Sequence, residues 1–180
     1  MKYKKDGYNM KTLYLAAGCF WGAQHFLKQL PGVEATRVGY ANGRTENPSY
    51  EQVKYWHTGH AETVKVVYDE TVLSTPELLE CYFLCVDSTS VNKQGPDEGE
   101  QYRTGIYYTD LSMVPVIQAE LSKLEAKIGR KTAIECKPLE QFFPAEEYHQ
   151  DYLTKNPAGY CHIPRDLIQT VKQKLKEAQV

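Results

Sequence analysis

Apolar residues in this chain switch repeatedly between strand-like and helix-like spacing, and one turn pair restricts how the strands can meet. Leu13–Ala17 is a short apolar run of strand composition, while Phe20, Ala23, Phe26, Leu27 and Leu30 recur at helical spacing before the break at Pro31-Gly32. Val33–Tyr40 alternates, and so does Ala61–Tyr68, with Val64, Val66 and Tyr68 on one face and Thr63, Lys65 and Val67 on the other. Ser74-Thr75-Pro76-Glu77 starts a helix over Leu78–Val86, because Pro suits an early helical position and Glu77 can reach back to Ser74. Gln101–Thr109 reads as a strand, Val114–Ile128 as a helix stopped by Gly129, Thr132–Cys136 as a strand, and Pro144–Lys155 and Arg165–Ala178 as helices. Asn42-Gly43 favours a tight turn between antiparallel neighbours. An α+β fold, with a mixed sheet of four or five strands and helices mainly on one face, therefore fits better than a parallel doubly wound sheet.

A length of 180 residues allows one sizeable core. Residues 1–11 are polar and lysine-rich and are expected to flex, leaving 12–180 as a single domain. The net charge of −2 and the scattered basic residues argue against nucleic acid as a partner. Nothing approaches the roughly 18 apolar residues of a membrane span, and no apolar stretch follows the N-terminal charges, so a cytoplasmic protein without membrane attachment is expected. Five widely spread cysteines suit thiol chemistry better than a disulfide framework.

The cysteine that stands out is Cys19, within Gly18-Cys19-Phe20-Trp21-Gly22. It falls at a strand-to-helix turn, where free N–H groups and the helix dipole favour a thiolate, so a lowered pKa is expected. The alternative is a small buried hydrophobe, with Phe20 and Trp21 belonging to the core. Elsewhere, Glu62 follows Gly59-His60-Ala61 and leads into an apolar strand, where desolvation would raise its pKa and suit it to general acid work. Tyr40 precedes Ala41-Asn42-Gly43, and Asp97 and Tyr102 lie in or just past the long polar stretch Asp87–Gln101. Cys81 and Cys85 share a helix face and read as core, as does Cys136; His57, His60 and Glu62 lack the further ligands that a metal site needs.

Five collinear segments resemble the A-type peptide methionine sulfoxide reductases. They are Gly18–Gly22, Gly39-Tyr40-Ala41-Asn42-Gly43, Gly59-His60-Ala61-Glu62, Gln94-Gly95-Pro96-Asp97 with Gln101-Tyr102-Arg103, and Tyr148–Tyr152 with Lys155–Cys161. The resemblance spans Leu13 to Ile163 and implies a catalytic domain built as a two-layer sandwich. Its core would be a ferredoxin-like plait, with added helices and a long irregular C-terminal segment. It implies that Cys19 attacks the sulfoxide sulfur and becomes a sulfenic acid, that Phe20 and Trp21 hold the S-methyl group, and that Glu62 protonates the oxygen. Tyr40 and Tyr102 would hydrogen-bond that oxygen, Asp97 would hold substrate and water, and Cys161 would resolve the sulfenic acid as a Cys19–Cys161 disulfide.

The implied substrates are the S-diastereomer of methionine sulfoxide, free and in oxidised proteins. Thioredoxin, or dithiothreitol in vitro, would donate electrons to a monomer with no bound cofactor or metal. The chain departs from the family pattern at Ala17, Gln24, Lys54 and Pro96, and Pro96 removes a backbone donor beside Asp97. Two other functions compete on the residues alone. One is acyl transfer by Cys19 with His60 or His149 as base; the other is a non-catalytic redox sensor.

Overall fold

The computed structural model describes residues 4–5 and 8–179. Strand β1 (Lys4–Lys5) pairs antiparallel with the start of β2 (Tyr8–Ala17). Helix α1 (Phe20–Leu27), strand β3 (Val33–Ala41), helix α2 (Tyr50–Tyr55), strand β4 (Ala61–Asp69) and helix α3 (Thr75–Leu84) follow. Next come two short strands, β5 (Lys93–Gln94) and β6 (Asp97–Glu98), then strand β7 (Thr104–Tyr108), helix α4 (Val114–Ile128), and strands β8 (Glu135–Pro138) and β9 (Phe142–Pro144). Helices α5 (Tyr152–Lys155) and α6 (Leu167–Ala178) complete the order.

Strand β2 lies between β4 and β7, antiparallel to both; β3 pairs antiparallel with β4, β9 with β3, and β8 runs parallel to β7. The run β2-α1-β3-β4-α3-β7, with strand order β7-β2-β4-β3, is the expected ferredoxin-like plait, widened by β8 on one edge and β9 on the other. The fold is α+β with a mixed sheet, as the alternating segments indicate; β3 and β4 are antiparallel neighbours, but residues 42–60 with α2 join them rather than a tight Asn42-Gly43 turn, and the sheet has seven strands among the described residues rather than four or five.

Alternation along the strands decides which side chains meet the helices. Leu13, Leu15, Val64, Val66, Tyr68 and Ile106 pack against Phe26 and Leu27 of α1, Leu78, Leu79 and Tyr82 of α3, and Ile168 and Val171 of α6. Each fully buried aliphatic side chain contributes about 1.5–3 kcal/mol. On the opposite face Ala16, Ala41, Ala61 and Tyr107 form a smaller cluster with Tyr14 and Phe142. Serine–glutamate reciprocity at the start of α3 is present as read: the Ser74 oxygen accepts from Glu77 N and Glu77 accepts from Ser74 N.

Other readings change as well. Tyr8–Lys11, expected to flex, belong to β2, and Met10 and Lys11 pair with Asp69 and Tyr68 of β4; the rest of 1–11, beyond β1, lies outside the described residues. Helix α1 stops at Leu27, although Leu30 still packs into the core. The polar stretch 87–101 carries the β5–β6 hairpin. Finally, Pro144–Lys155 is not one helix: β9, a 3-10 turn at Glu147–His149 and the single turn α5 share it. The Gln150 amide donates to the carbonyls of Val38 and Ala145 and accepts from Val38 N, and Asp151 takes a left-handed φ of 52°. Backbone groups of β3 beyond the last β9 pair are thereby bonded by a side chain.

Candidate active site

Cys19 stands where β2 passes into α1. Gly18 makes the turn with φ +78°, and a Cβ there would lie 2.7 Å from the Cβ of Gln94 on β5, so both conformation and space require glycine. Cys19 is the N-terminal flanking residue of α1, with extended ψ of 122° and its side chain free of any capping bond. The nearby N–H groups of Trp21 and Gly22 pull the thiol pKa down without forming a capping bond, but burial, Glu62 and Asp97 push it up, and the upward effects win. This overturns the expected lowering: Cys19 is only 9% exposed, and leaving water costs a thiolate more than two backbone donors return.

Glu62, near the start of β4, is 2% exposed and accepts from Phe20 N at 3.1 Å. Burial, with Asp97 adding to it, pushes its pKa up to about 8 against the opposing pull of that N–H and of Lys54. The carboxyl and the thiol therefore meet at one helix turn, the carboxyl holding a proton at neutral pH.

Tyr40 does not face an open position here. Its hydroxyl donates to Glu146 Oε1 at 2.8 Å, and the other Glu146 oxygen accepts from Tyr50 N at 3.1 Å. The tyrosine pair around the thiol is Tyr50 and Tyr102. Burial raises both hydroxyl pKa values, and Glu62 and Cys19 act on each of them in the same direction. Tyr50 escaped the sequence reading. A signal was present, because Ser49 and Gln52 form a reciprocal capping box that fixes Tyr50 as the first residue of α2.

Phe20 is buried, its ring centroid 5.7 Å from that of Tyr40 and 5.1 Å from that of His149. Trp21 is half-buried and stacks on Tyr152 at 3.7 Å and 11°, while its indole N–H donates to His149 Nδ1 at 2.9 Å. Asp97, on β6, accepts from the Tyr160 hydroxyl at 2.9 Å, tying the hairpin to the C-terminal segment. Pro96 occupies a turn position between the paired residues Gln94 and Asp97, so its missing N–H disturbs no ladder bond. Gln24 is buried with its amide used both ways, donating to Thr36 Oγ1 at 3.2 Å and accepting from Asp151 N at 2.9 Å.

Cys161 lies against the first turn of α1: a Cβ built on Gly22 would meet its sulfur at 3.0 Å. All five cysteines are free, and the Cys161 thiol donates to the Ile163 carbonyl at 3.3 Å. Cys81 and Cys85 are in the core, as read. His60, one of the two bases in the acyl-transfer alternative, has its ring nitrogens on Thr58 at 2.8 Å and Gln141 at 2.6 Å; His149, the other, is taken by Trp21 at Nδ1. Among the described residues no group of three or more His, Cys, Asp or Glu could hold a metal ion.

Comparison with known proteins identifies relatives along nearly the whole chain. The family model described as peptide methionine sulfoxide reductase matches residues 11–179. The peptide methionine sulfoxide reductase MsrA of Lachnoclostridium phytofermentans is 54% identical over 153 residues, covering 85% of this chain and 92% of the relative. An MsrA of Clostridium perfringens is 52% identical over 157 residues, covering 87% and 100%. The crystal structure of Mxr1 from Saccharomyces cerevisiae in reduced form superposes with a TM-score of 0.81 at 35% identity, covering 89% of this chain and 92% of that one. With a thiol, a protonated carboxyl and two tyrosines at one helix start, and with matches along nearly its whole length, the chain belongs to the peptide methionine sulfoxide reductase family.

Proposed function

We propose that this enzyme reduces the S-diastereomer of methionine sulfoxide, free and in proteins, through a Cys19 sulfenic acid and a Cys19–Cys161 disulfide that thioredoxin reopens. Glu62 carries the reading: a buried carboxyl with its pKa near 8 sits on Phe20 N beside the Cys19 thiol. An oxide leaves sulfur readily only once protonated, and Glu62 holds the proton it needs. The oxygen passes to Cys19 as the sulfenic acid, methionine departs, and the thiol proton restores Glu62.

Tyr50 and Tyr102 supply hydroxyl donors for the oxygen, Phe20 and Trp21 an apolar wall for the S-methyl group, and Asp97 an acceptor that steadies the rim. Tyr40 acts one step back, fixing Glu146 and through it Tyr50. Oxygen donors, methyl wall and nucleophile come from different elements, and together they would select one configuration at sulfur. Cys161 then attacks the sulfenic acid, and a dithiol donor such as thioredoxin completes the cycle.

Five free cysteines suit a reducing, cytoplasmic setting, and no helix among the described residues is long and apolar enough to cross a membrane. The reading takes 12–180 as one catalytic domain acting as a monomer without a bound cofactor. Its test uses diastereomerically pure methionine sulfoxide peptides with dithiothreitol. Wild type should consume only the S form and Cys19→Ser neither; equal consumption of both forms, or activity in the variant, would overturn it. With thioredoxin in place of dithiothreitol, Cys161→Ser should stop after one methionine per enzyme.

A further inference from the structure

His162 follows Cys161 directly, and its ring is pressed into the same turn of α1. Nε2 lies 2.9 Å from the Ala17 carbonyl, which only accepts, so Nε2 carries the proton and Nδ1 is left as a bare lone pair. Nδ1 is buried and has no hydrogen-bond partner. A buried acceptor without a donor is costly and asks for an explanation. A second observation suggests one: a Cβ built on Gly22 would meet Cys161 Sγ at 3.0 Å and His162 Nδ1 at 3.1 Å, so thiol and lone pair both face Gly22, the thiol at rest donating to the Ile163 carbonyl. Burial lowers the pKa of the ring and keeps the lone pair available.

We propose that His162 Nδ1 is the base for the resolving step, taking the Cys161 proton as that thiol attacks the Cys19 sulfenic acid. The S–H bond of Cys161 breaks toward Nδ1, a sulfur–sulfur bond forms, and the sulfenic S–O bond breaks with its electron pair leaving on oxygen. The departing hydroxide is protonated to water as the imidazolium gives up the proton it took. One thiol and one sulfenic acid thus become one disulfide and one water, with no further reductant or oxidant. The Nε2–Ala17 bond holds the ring in register with the start of α1, so the base stays on the side of Gly22 that Cys161 also faces, and the thiol reaches it by turning away from the Ile163 carbonyl.

The proposal rests on Cys161 being the resolving thiol, and the experiment separates the two ideas. His162→Ala and His162→Gln are mixed with excess S-sulfoxide peptide without reductant. Methionine release is followed by rapid quench, and the Cys19 sulfenic acid by trapping with dimedone. Glutamine keeps a side-chain donor for Ala17 but offers no base. Both variants should release one methionine per enzyme, as a folded enzyme does, while their sulfenic acid persists about 10²-fold longer than in wild type, the low end of the range for general base catalysis. Disulfide formation at the wild-type rate in His162→Gln would reduce His162 to a tether and overturn the proposal, as would a normal rate in both variants. If Cys161→Ser itself still forms a Cys19 disulfide, the underlying reading fails instead.

Discussion

At Cys19 two opposing effects act on one proton. Helix-start donors favour a thiolate by about 0.3–1 kcal/mol, up to about 2 when partly buried. Burial costs an unpaired charge several kcal/mol, and Glu62 and Asp97 add to that cost. Cys19 therefore rests as a thiol, and iodoacetamide should label it slowly at pH 7, the rate rising only above the ordinary thiol range. Fast labelling at neutral pH, read by mass spectrometry, would contradict this.

Glu62 gives the complementary case. With its pKa moved from 4.5 to about 8, it works as an acid below pH 8, and sulfoxide reduction should decline as pH rises through that value. Glu62→Gln should lose this limb together with about 10²–10⁴-fold in rate, measured as methionine formed. Stability follows the same sign: the folded state binds the extra proton between pH 4.5 and 8, so the Glu62 contribution is complete below 4.5 and is lost as pH rises through 8. Glu62→Gln should flatten that part of the urea-midpoint profile; an unchanged decline would place the proton elsewhere. Cys19 and Glu62 were legible because each breaks a local rule, a thiol between glycines and a carboxyl leading into an apolar strand. Tyr50 was only half legible, since the Ser49–Gln52 capping box marks it as a helix start but does not tell that the fold turns its hydroxyl inward, and Tyr40 shows the opposite case, a tyrosine in a distinctive segment whose hydroxyl is taken by Glu146.

At the scale of elements, segments with one clear period were legible: β4, α4 with its Gly129 stop, and the capped start of α3. Pro144–Lys155 was not, because the forces there are long-range. Gln150, far along the chain from β3, supplies bonds that a neighbouring strand would otherwise give to Val38. Such substitution leaves no periodicity to read. It also makes Gln150 costly to lose: Gln150→Ala strands a buried N–H and a carbonyl and should destabilise by about 2–4 kcal/mol, from one to two unsatisfied groups. A urea denaturation midpoint equal to wild type would show that water takes over both bonds. The β5–β6 hairpin was hidden for a related reason. Gln94 bonds the backbone of Asp87 through both ends of its amide, at 2.8 and 2.9 Å, so the stretch closes on itself without an apolar core.

Across the whole molecule, the beginning and end of the chain meet at one glycine. His162 holds the Ala17 carbonyl, Tyr160 holds Asp97, and Gln24 holds Asp151 N, so the C-terminal segment crosses α1 at several fixed points and brings Cys161 to Gly22. Local physics favours alanine at Gly22, which lies inside a helix where glycine costs about 0.5–1 kcal/mol. Tertiary packing opposes it, because the added methyl would press on the Cys161 sulfur at 3.0 Å and on His162 at 3.1 Å. Overpacking of this kind costs about 1–3 kcal/mol, so the packing effect should win and the C-terminal segment should move away. The consequence is selective. In the proposed cycle dithiothreitol reduces the Cys19 sulfenic acid without Cys161, whereas thioredoxin acts on the disulfide. Gly22→Ala should therefore lose about tenfold or more of thioredoxin-supported turnover relative to dithiothreitol-supported turnover, since 1.4 kcal/mol corresponds to a factor of ten. An equal loss with both donors would mean that the methyl disturbs Cys19 itself rather than the approach of Cys161.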